Sequence, residues 1–283
     1  MVAEGTVAGA ARAGFAAGMM GLGLLSLLYG SYSLQWEPVP AVIPTQLAYA
    51  SGALLVLGAI ALAVRGAMAW GGLLLAAFLV VWVVALKIPE FIAVLPKLTK
   101  ATSLCGALLG VFEDLGMACG AWTLYAIAVR AGEKPLIKGL SGDLGLRLAR
   151  TVFGIACVEY GVCHFAFADF TAAMVPAWLP DRLVFAWLTG AGHLCAGIAL
   201  LTGVLPRLAA TLEAVMMSSF VLFVHIPMVL WHRAGEGHLN WTLLFVATTL
   251  ASSAWATAGA LKDRPWGLKA QALGLTGGPK AAT

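Results

Sequence analysis

Apolar positions along this chain neither alternate nor form a stripe. They run on. Eight unbroken apolar stretches stand out, at about 9–30, 46–65, 68–93, 103–129, 148–168, 183–204, 208–231 and 241–261. Each approaches the ~20 residues that a helix needs to cross the hydrocarbon core of a bilayer. Strands of a membrane barrel would be about ten residues long with alternating polarity, so these stretches predict helices. The expected fold is therefore an all-α integral membrane protein with eight transmembrane helices. The first stretch, with Arg12 and small residues, has features of a signal peptide. It also has a counterpart deep in the chain, which argues that it is retained.

Composition sharpens the class. Of 283 residues, 61% are hydrophobic and 11% charged, with a mean hydropathy of +0.93. Disorder needs low hydrophobicity and high charge, and a soluble domain carries about a quarter charged residues. Both are excluded. The net charge of +4 suits basic loops beside a membrane, with lipid as the surrounding partner and no nucleic acid. Twelve of the 17 Lys and Arg, among them Arg12, Arg65, Arg130, Arg147, Arg150 and Arg207, fall on the N-terminal side of the spans. Lys97, Lys100, Arg182 and Arg233 fall on the other side, and Lys87 lies inside a span. The positive-inside rule then puts both termini in the cytoplasm of a multi-pass cell-membrane protein. Trp36, Trp178, Trp231, Trp241 and Trp266 sit near span ends, as interfacial aromatics do. Cys105, Cys119, Cys157, Cys163 and Cys195 form no C-x-x-C pair, so neither structural disulfides nor a zinc knuckle is expected.

A shift of 138 residues aligns Pro38–Phe91 with Pro176–Val229 without a gap. It gives 12 identities in 54 positions. Ala and Leu match cheaply in apolar sequence, but Pro38/Pro176, Gly52-Ala53/Gly190-Ala191 and Ile88-Pro89/Ile226-Pro227 do not. The expected organisation is a first four-helix repeat at 1–130, a basic linker at 131–147, a second repeat at 148–261 and a flexible tail at 262–283. Four spans is an even number, so the repeats should be parallel, related by an axis along the membrane normal.

The second repeat contains Gly192-His193-Leu194-Cys195-Ala196-Gly197-Ile198-Ala199-Leu200-Leu201-Thr202-Gly203, then Pro206-Arg207-Leu208-Ala209-Ala210. It opens with Gly154-Ile155 and continues through Gly161 and His164. With these motifs residues 148–261 resemble the DoxX-like family of four-helix membrane proteins, here as a tandem duplication. Many members carry Glu where this chain has His193. The resemblance implies a quinone-linked membrane complex, since the family includes subunits of thiosulfate:quinone oxidoreductases.

Ionisable groups inside spans are costly and by default suggest function. Lys87, Glu90, Glu113, Asp114, Glu159, His164, His193, Glu213 and His225 are such groups. Helix rise places most of them in the central and outer parts of the bilayer, with Glu213 the exception toward the cytoplasmic end. Glu159, His164, His193 and His225 are expected to line one cavity opening outward, with Tyr160 as a supporting donor to His164 or to a ligand oxygen. The alternative for His193 is a core histidine bonded to a carbonyl or to Glu159. Lys87 is expected to pair with Glu113 or Asp114 as a structural tie. Lys87 and His225 are equivalent positions, each just before Ile-Pro. Each proline either kinks its helix or marks a cavity wall. Cys157 shares a helix face with His164, as packing residue or thiol.

Histidine and glutamate can bind quinone carbonyls and move protons. The expected function is the membrane subunit of a redox assembly interacting with quinone. No flavin or nucleotide fingerprint occurs, so a soluble or membrane redox subunit would be its partner. Haem between His193 and His225 fits less well, because their depths differ by about 8 Å on helix-rise arithmetic. A small-molecule transporter or membrane scaffold is the alternative class.

Overall fold

A computed structural model describes residues 5–33, 44–231 and 237–267. Trp36, Pro38, Arg233 and most of the tail lie outside them. Helices make up the fold, and no strand occurs among the described residues. In chain order they are α1 (Thr6–Tyr29), α2 (Leu47–Ala63), α3 (Met68–Trp82), α4 (Ile88–Val94), α5 (Ala101–Arg130), α6 (Lys138–Ser141), α7 (Asp143–Ala166), α8 (Ala168–Met174), α9 (Arg182–Thr202), α10 (Pro206–Phe220), α11 (Ile226–Leu230) and α12 (Gly237–Ala260). Six continuous helices, with α3–α4 and α10–α11 each counted as one, are long and apolar enough to cross a membrane. A seventh candidate is α7 with α8, bent by 92°. The apolar α2 has 17 residues, about 25 Å at 1.5 Å per residue, a little short of a ~30 Å core.

The packing is sequential and then crossed. Each of α1–α2, α2–α3, α3–α5, α7–α9, α9–α10 and α10–α12 is a neighbouring pair. In addition α5 packs on α7, α12 packs on α1, and α5 meets α12 in the centre. Glycines set the closest approaches. Gly23 of α1 lies against the Gly52 carbonyl of α2, and Gly161 of α7 against the Gly190 carbonyl of α9. Gly14 and Gly18 of α1 face Ser252 and Thr249 of α12 with no room for a methyl group. The α12 hydroxyls of Thr242, Thr248, Thr249, Ser252, Ser253 and Thr257 all bond the carbonyl four residues earlier. They are thereby satisfied without water and leave a flat face for close crossing.

The two prolines do not simply kink their helices. Val83–Lys87 and Val221–His225 form π turns, in which Ile88 N–H reaches Val83 O and Ile226 N–H reaches Val221 O. The wider turn absorbs the missing proline donor. Both π turns end on the residue before Ile-Pro, and α3 and α10 begin and end 138 residues apart.

Charged side chains close several helix ends. Arg12 Nη1 donates to Leu62 O at the C-terminus of α2, 2.9 Å. The Glu133 carboxylate accepts the N–H groups of Gly66 (3.0 Å), Met68 (3.3 Å) and Ala69 (2.8 Å) at the start of α3. These are orphan donors facing the positive end of the helix dipole. Glu133→Ala should therefore cost about 1–2 kcal/mol, read as a lower unfolding midpoint in detergent, with Glu133→Gln losing less.

The linker is tied down. Tyr125 Oη donates to Ile137 O and accepts Ile137 N–H, both at 2.9 Å. Trp122 Nε1 donates to Leu140 O, 2.7 Å. The tail expected to be flexible is held at its start, where Arg207 reaches Arg264 O at 3.3 Å and stacks over Trp266.

Candidate functional site

The central feature is a buried pair between α9 and α10. His193 and Glu213 are 2% and 1% exposed. His193 Nδ1 lies 2.6 Å from Glu213 Oε1. A carboxylate there makes Nδ1 the protonated nitrogen and turns Nε2 toward the other side of the ring. The partner is neither a carbonyl nor Glu159, and Glu213 is no outlier. α9 and α10 form an antiparallel hairpin turning at Gly203–Leu205. His193 stands ten residues before Gly203 and Glu213 eight after Leu205, so the two share a depth to within about 3 Å. Counting outward from the shared turn, not inward from each helix centre, would have found it.

Close helix crossing positions the pair. Gly161 and Gly154 of α7 press on Gly190 and Gly197 of α9, backbone against backbone. This brings His164 onto His193, edge-on, with ring centroids 4.9 Å apart. His164 Nδ1 is 2.9 Å from Thr189 Oγ1. The Thr189 hydroxyl is itself directed at Phe185 O, 2.9 Å, so it accepts from His164 Nδ1–H. Phe220, at the end of α10, closes the cluster, 6.0 Å from the His164 ring and 5.9 Å from His193. His164 is half-buried and is the more accessible imidazole.

Tyr160 approaches His193 edge-on at 5.8 Å. Its hydroxyl, expected to serve His164 or a ligand, instead donates to Phe112 O of α5 at 2.7 Å. It fastens α7 to the central helix, and Gly116 makes room for it. Glu159 is buried and accepts the Cys163 thiol, Sγ to Oε1 2.9 Å, while its Oε2 has no partner. Glu213 Oε2 is likewise buried and unpartnered. Cys157 is fully buried and lies close enough to Glu213 to feel its charge. It serves the pair from α7 and does not address His164.

His225 ends the second π turn with its Nδ1 buried and unpartnered, and it stands outside the ring contacts that join His164, His193 and Phe220. In the first half, Lys87 is 7% exposed and lays its ammonium over Gly110 of α5. Its charge acts on Asp114, one turn along. Glu113 lies beside Asp114 on the same helix. Among the described residues, no three of His, Cys, Asp and Glu are arranged to hold a metal ion.

The segment carrying these residues runs from the first turn of α7 to the second π turn. Residues 145–226 match the DoxX family model. No curated protein and no solved structure matches the chain. The DoxX match and the long apolar helices together make this a multi-pass membrane protein. The DoxX segment contains Glu159, Tyr160, His164, His193, Glu213 and His225, and ends before α12. Positions 138 residues earlier than His193 and Glu213 are Leu55 and Leu75, each 0% exposed. The first half is apolar where the DoxX segment is polar.

Proposed function

We propose that the chain is the membrane subunit of a redox assembly and that the His164–His193–Glu213 cluster handles the headgroup of a quinone. The observation that carries this reading is the buried His193–Glu213 hydrogen bond standing where the first half has Leu55 and Leu75. Burying ionisable groups is costly, and apolar pairs of similar volume are often as stable or more so. The first half uses such a pair in the same surroundings, so the polar pair is retained for its chemistry.

The residues fit a hydroxyl-bearing headgroup. His193 Nε2 accepts a proton while Glu213 holds the opposite nitrogen, Nδ1–H. A His–Glu couple of this kind raises the basicity of the imidazole and fixes its tautomer. His164, with Nδ1–H committed to Thr189, likewise presents Nε2 as an acceptor. Phe220 supplies an apolar wall for a ring. A bound quinone would supply two-electron chemistry, and the electrons would pass to or from a partner subunit. Both termini are taken as cytoplasmic, and the two halves as parallel four-helix repeats, in keeping with the shared 138-residue register. On that reading the cluster lies in the central and outer half of the bilayer. Lys87 with Asp114 is the structural tie of the first half.

The test is lipid extraction of the purified protein, comparing the wild type with His193→Leu/Glu213→Leu, which copies the first half. Quinone should copurify with the wild type and fall at least about tenfold in the double variant, with His225→Ala close to wild type. Equal quinone in wild type and double variant, or none in either, removes the quinone reading. Substrate-dependent uptake into vesicles would then point to a transporter.

A further inference from the structure

A second built site lies at the other end of α7, away from His164. Where α5 and α12 end and α7 begins, a cavity of about 190 Å³ is lined by Arg130, Arg147, Arg150 and Arg264 against Asp143 and Asp263. Arg130 is matched, with Nη2 on Asp143 Oδ1 at 2.5 Å. Three guanidiniums and one carboxylate remain on the wall. Arg264 follows the C-terminus of α12, where the negative end of the helix dipole favours a cation. Arg147 and Arg150 have no such help. They stand in the first two turns of α7, where the dipole opposes positive charge. Arg150 feels the charges of both Arg264 and Arg147, and its Nε is buried without a partner. The N-cap of α7, Gly142, offers no side-chain acceptor to the first N–H groups. Every one of these features is unfavourable alone and favourable around an anion.

We infer that this cavity binds a phosphate-type oxyanion. Guanidinium forks match the oxygens of phosphate in pairs, and uncapped N–H groups at a helix start add donors. The volume decides the size. At about 30 Å³ per water, the space holds one phosphate group with a few waters. It is below the roughly 300–1,000 Å³ of pockets that enclose a whole organic ligand. Two sources carry this chemistry: the headgroup of an anionic phospholipid at the membrane face, and free phosphate from solution. The bound anion would join α5, α7 and α12 and so brace the two halves at one end.

The test uses the full chain in neutral detergent at fixed ionic strength, with the unfolding midpoint as readout. Inorganic phosphate, phosphatidylglycerol and phosphatidylcholine are titrated separately. A saturable rise with phosphatidylglycerol alone assigns a lipid headgroup, and a rise with inorganic phosphate as well shows that the free oxyanion suffices. In either case Arg147→Gln/Arg264→Gln, which removes two exposed side chains, weakens the apparent affinity about tenfold or more. Arg147→Lys keeps the charge, loses the fork and falls between. No response to any addition, an equal response to phosphatidylcholine, or a response unchanged in the double variant overturns the proposal. Should the double variant be too unstable to titrate, Arg147→Gln alone must still weaken the response several-fold.

Discussion

His193→Ala lowers the stability of the protein by about 3–5 kcal/mol, the cost of leaving one member of a buried pair without the other. Glu213→Ala falls in the same range. The loss has two parts. A polar group without its partner stays buried, because His193 and Glu213 are both almost fully enclosed. The space vacated between α9, α10 and α7 also cannot close, since glycine contacts already hold α7 and α9 backbone to backbone. The double variant His193→Leu/Glu213→Leu behaves differently. It removes both polar groups and restores the volume, as Leu55 and Leu75 do 138 residues earlier. Its stability should lie within about 1.5 kcal/mol of wild type. Unfolding of all four proteins in one detergent measures the coupling. Additive losses in the double variant would mean that the pair does not act as a unit.

Gly23→Ala and Gly197→Ala each destabilise by about 1–3 kcal/mol, although alanine is the better helix former by about 1 kcal/mol. The added methyl at Gly23 would lie 2.7 Å from Gly52 O and 3.0 Å from Val56 N. At Gly197 it would lie 2.7 Å from Gly154 O and 2.8 Å from Val158 N. Backbone atoms of a packed helix cannot step aside, so the helices must separate. Gly110→Ala is the informative comparison. Its methyl would meet only the end of Lys87, 3.0 Å away, a flexible chain that can move, and its change should be a few tenths of a kcal/mol. Similar losses at all three positions would show that glycine matters here through the unfolded chain and not through helix contact.

The helices were legible because continuous apolar runs leave a chain in lipid no other way to satisfy its backbone. The 138-residue register was legible through Pro89/Pro227 and Gly52/Gly190, residues that backbone geometry constrains. The partners of the polar residues were not. Tyr160 reaches a carbonyl of a helix 48 positions earlier, and Glu159 turns to a cysteine on its own helix. Depth along a helix says nothing about direction around it, and direction chose these contacts. Glu213 was missed for a related reason: its depth was judged against its own helix alone. The π turns were hidden too. Proline marks a missing donor, but whether the helix bends or widens depends on what packs beside it.

The crossed packing bears on how this chain can come into being. α1 meets α5 only briefly, and its long partner is α12, which is synthesised last. As the ribosome works, the glycine face of α1 must wait in the membrane for a helix more than two hundred residues downstream, and no half can finish by itself. A chain ending after α5 would leave that face open, and one beginning at α7 would leave the hydroxyl face of α12 open. Two copies of such a half would each hold what the other lacks. A free-standing four-helix ancestor of this arrangement would therefore have been an obligate pair, and joining its two members in one polypeptide freed Leu55–Leu75 and His193–Glu213 to diverge.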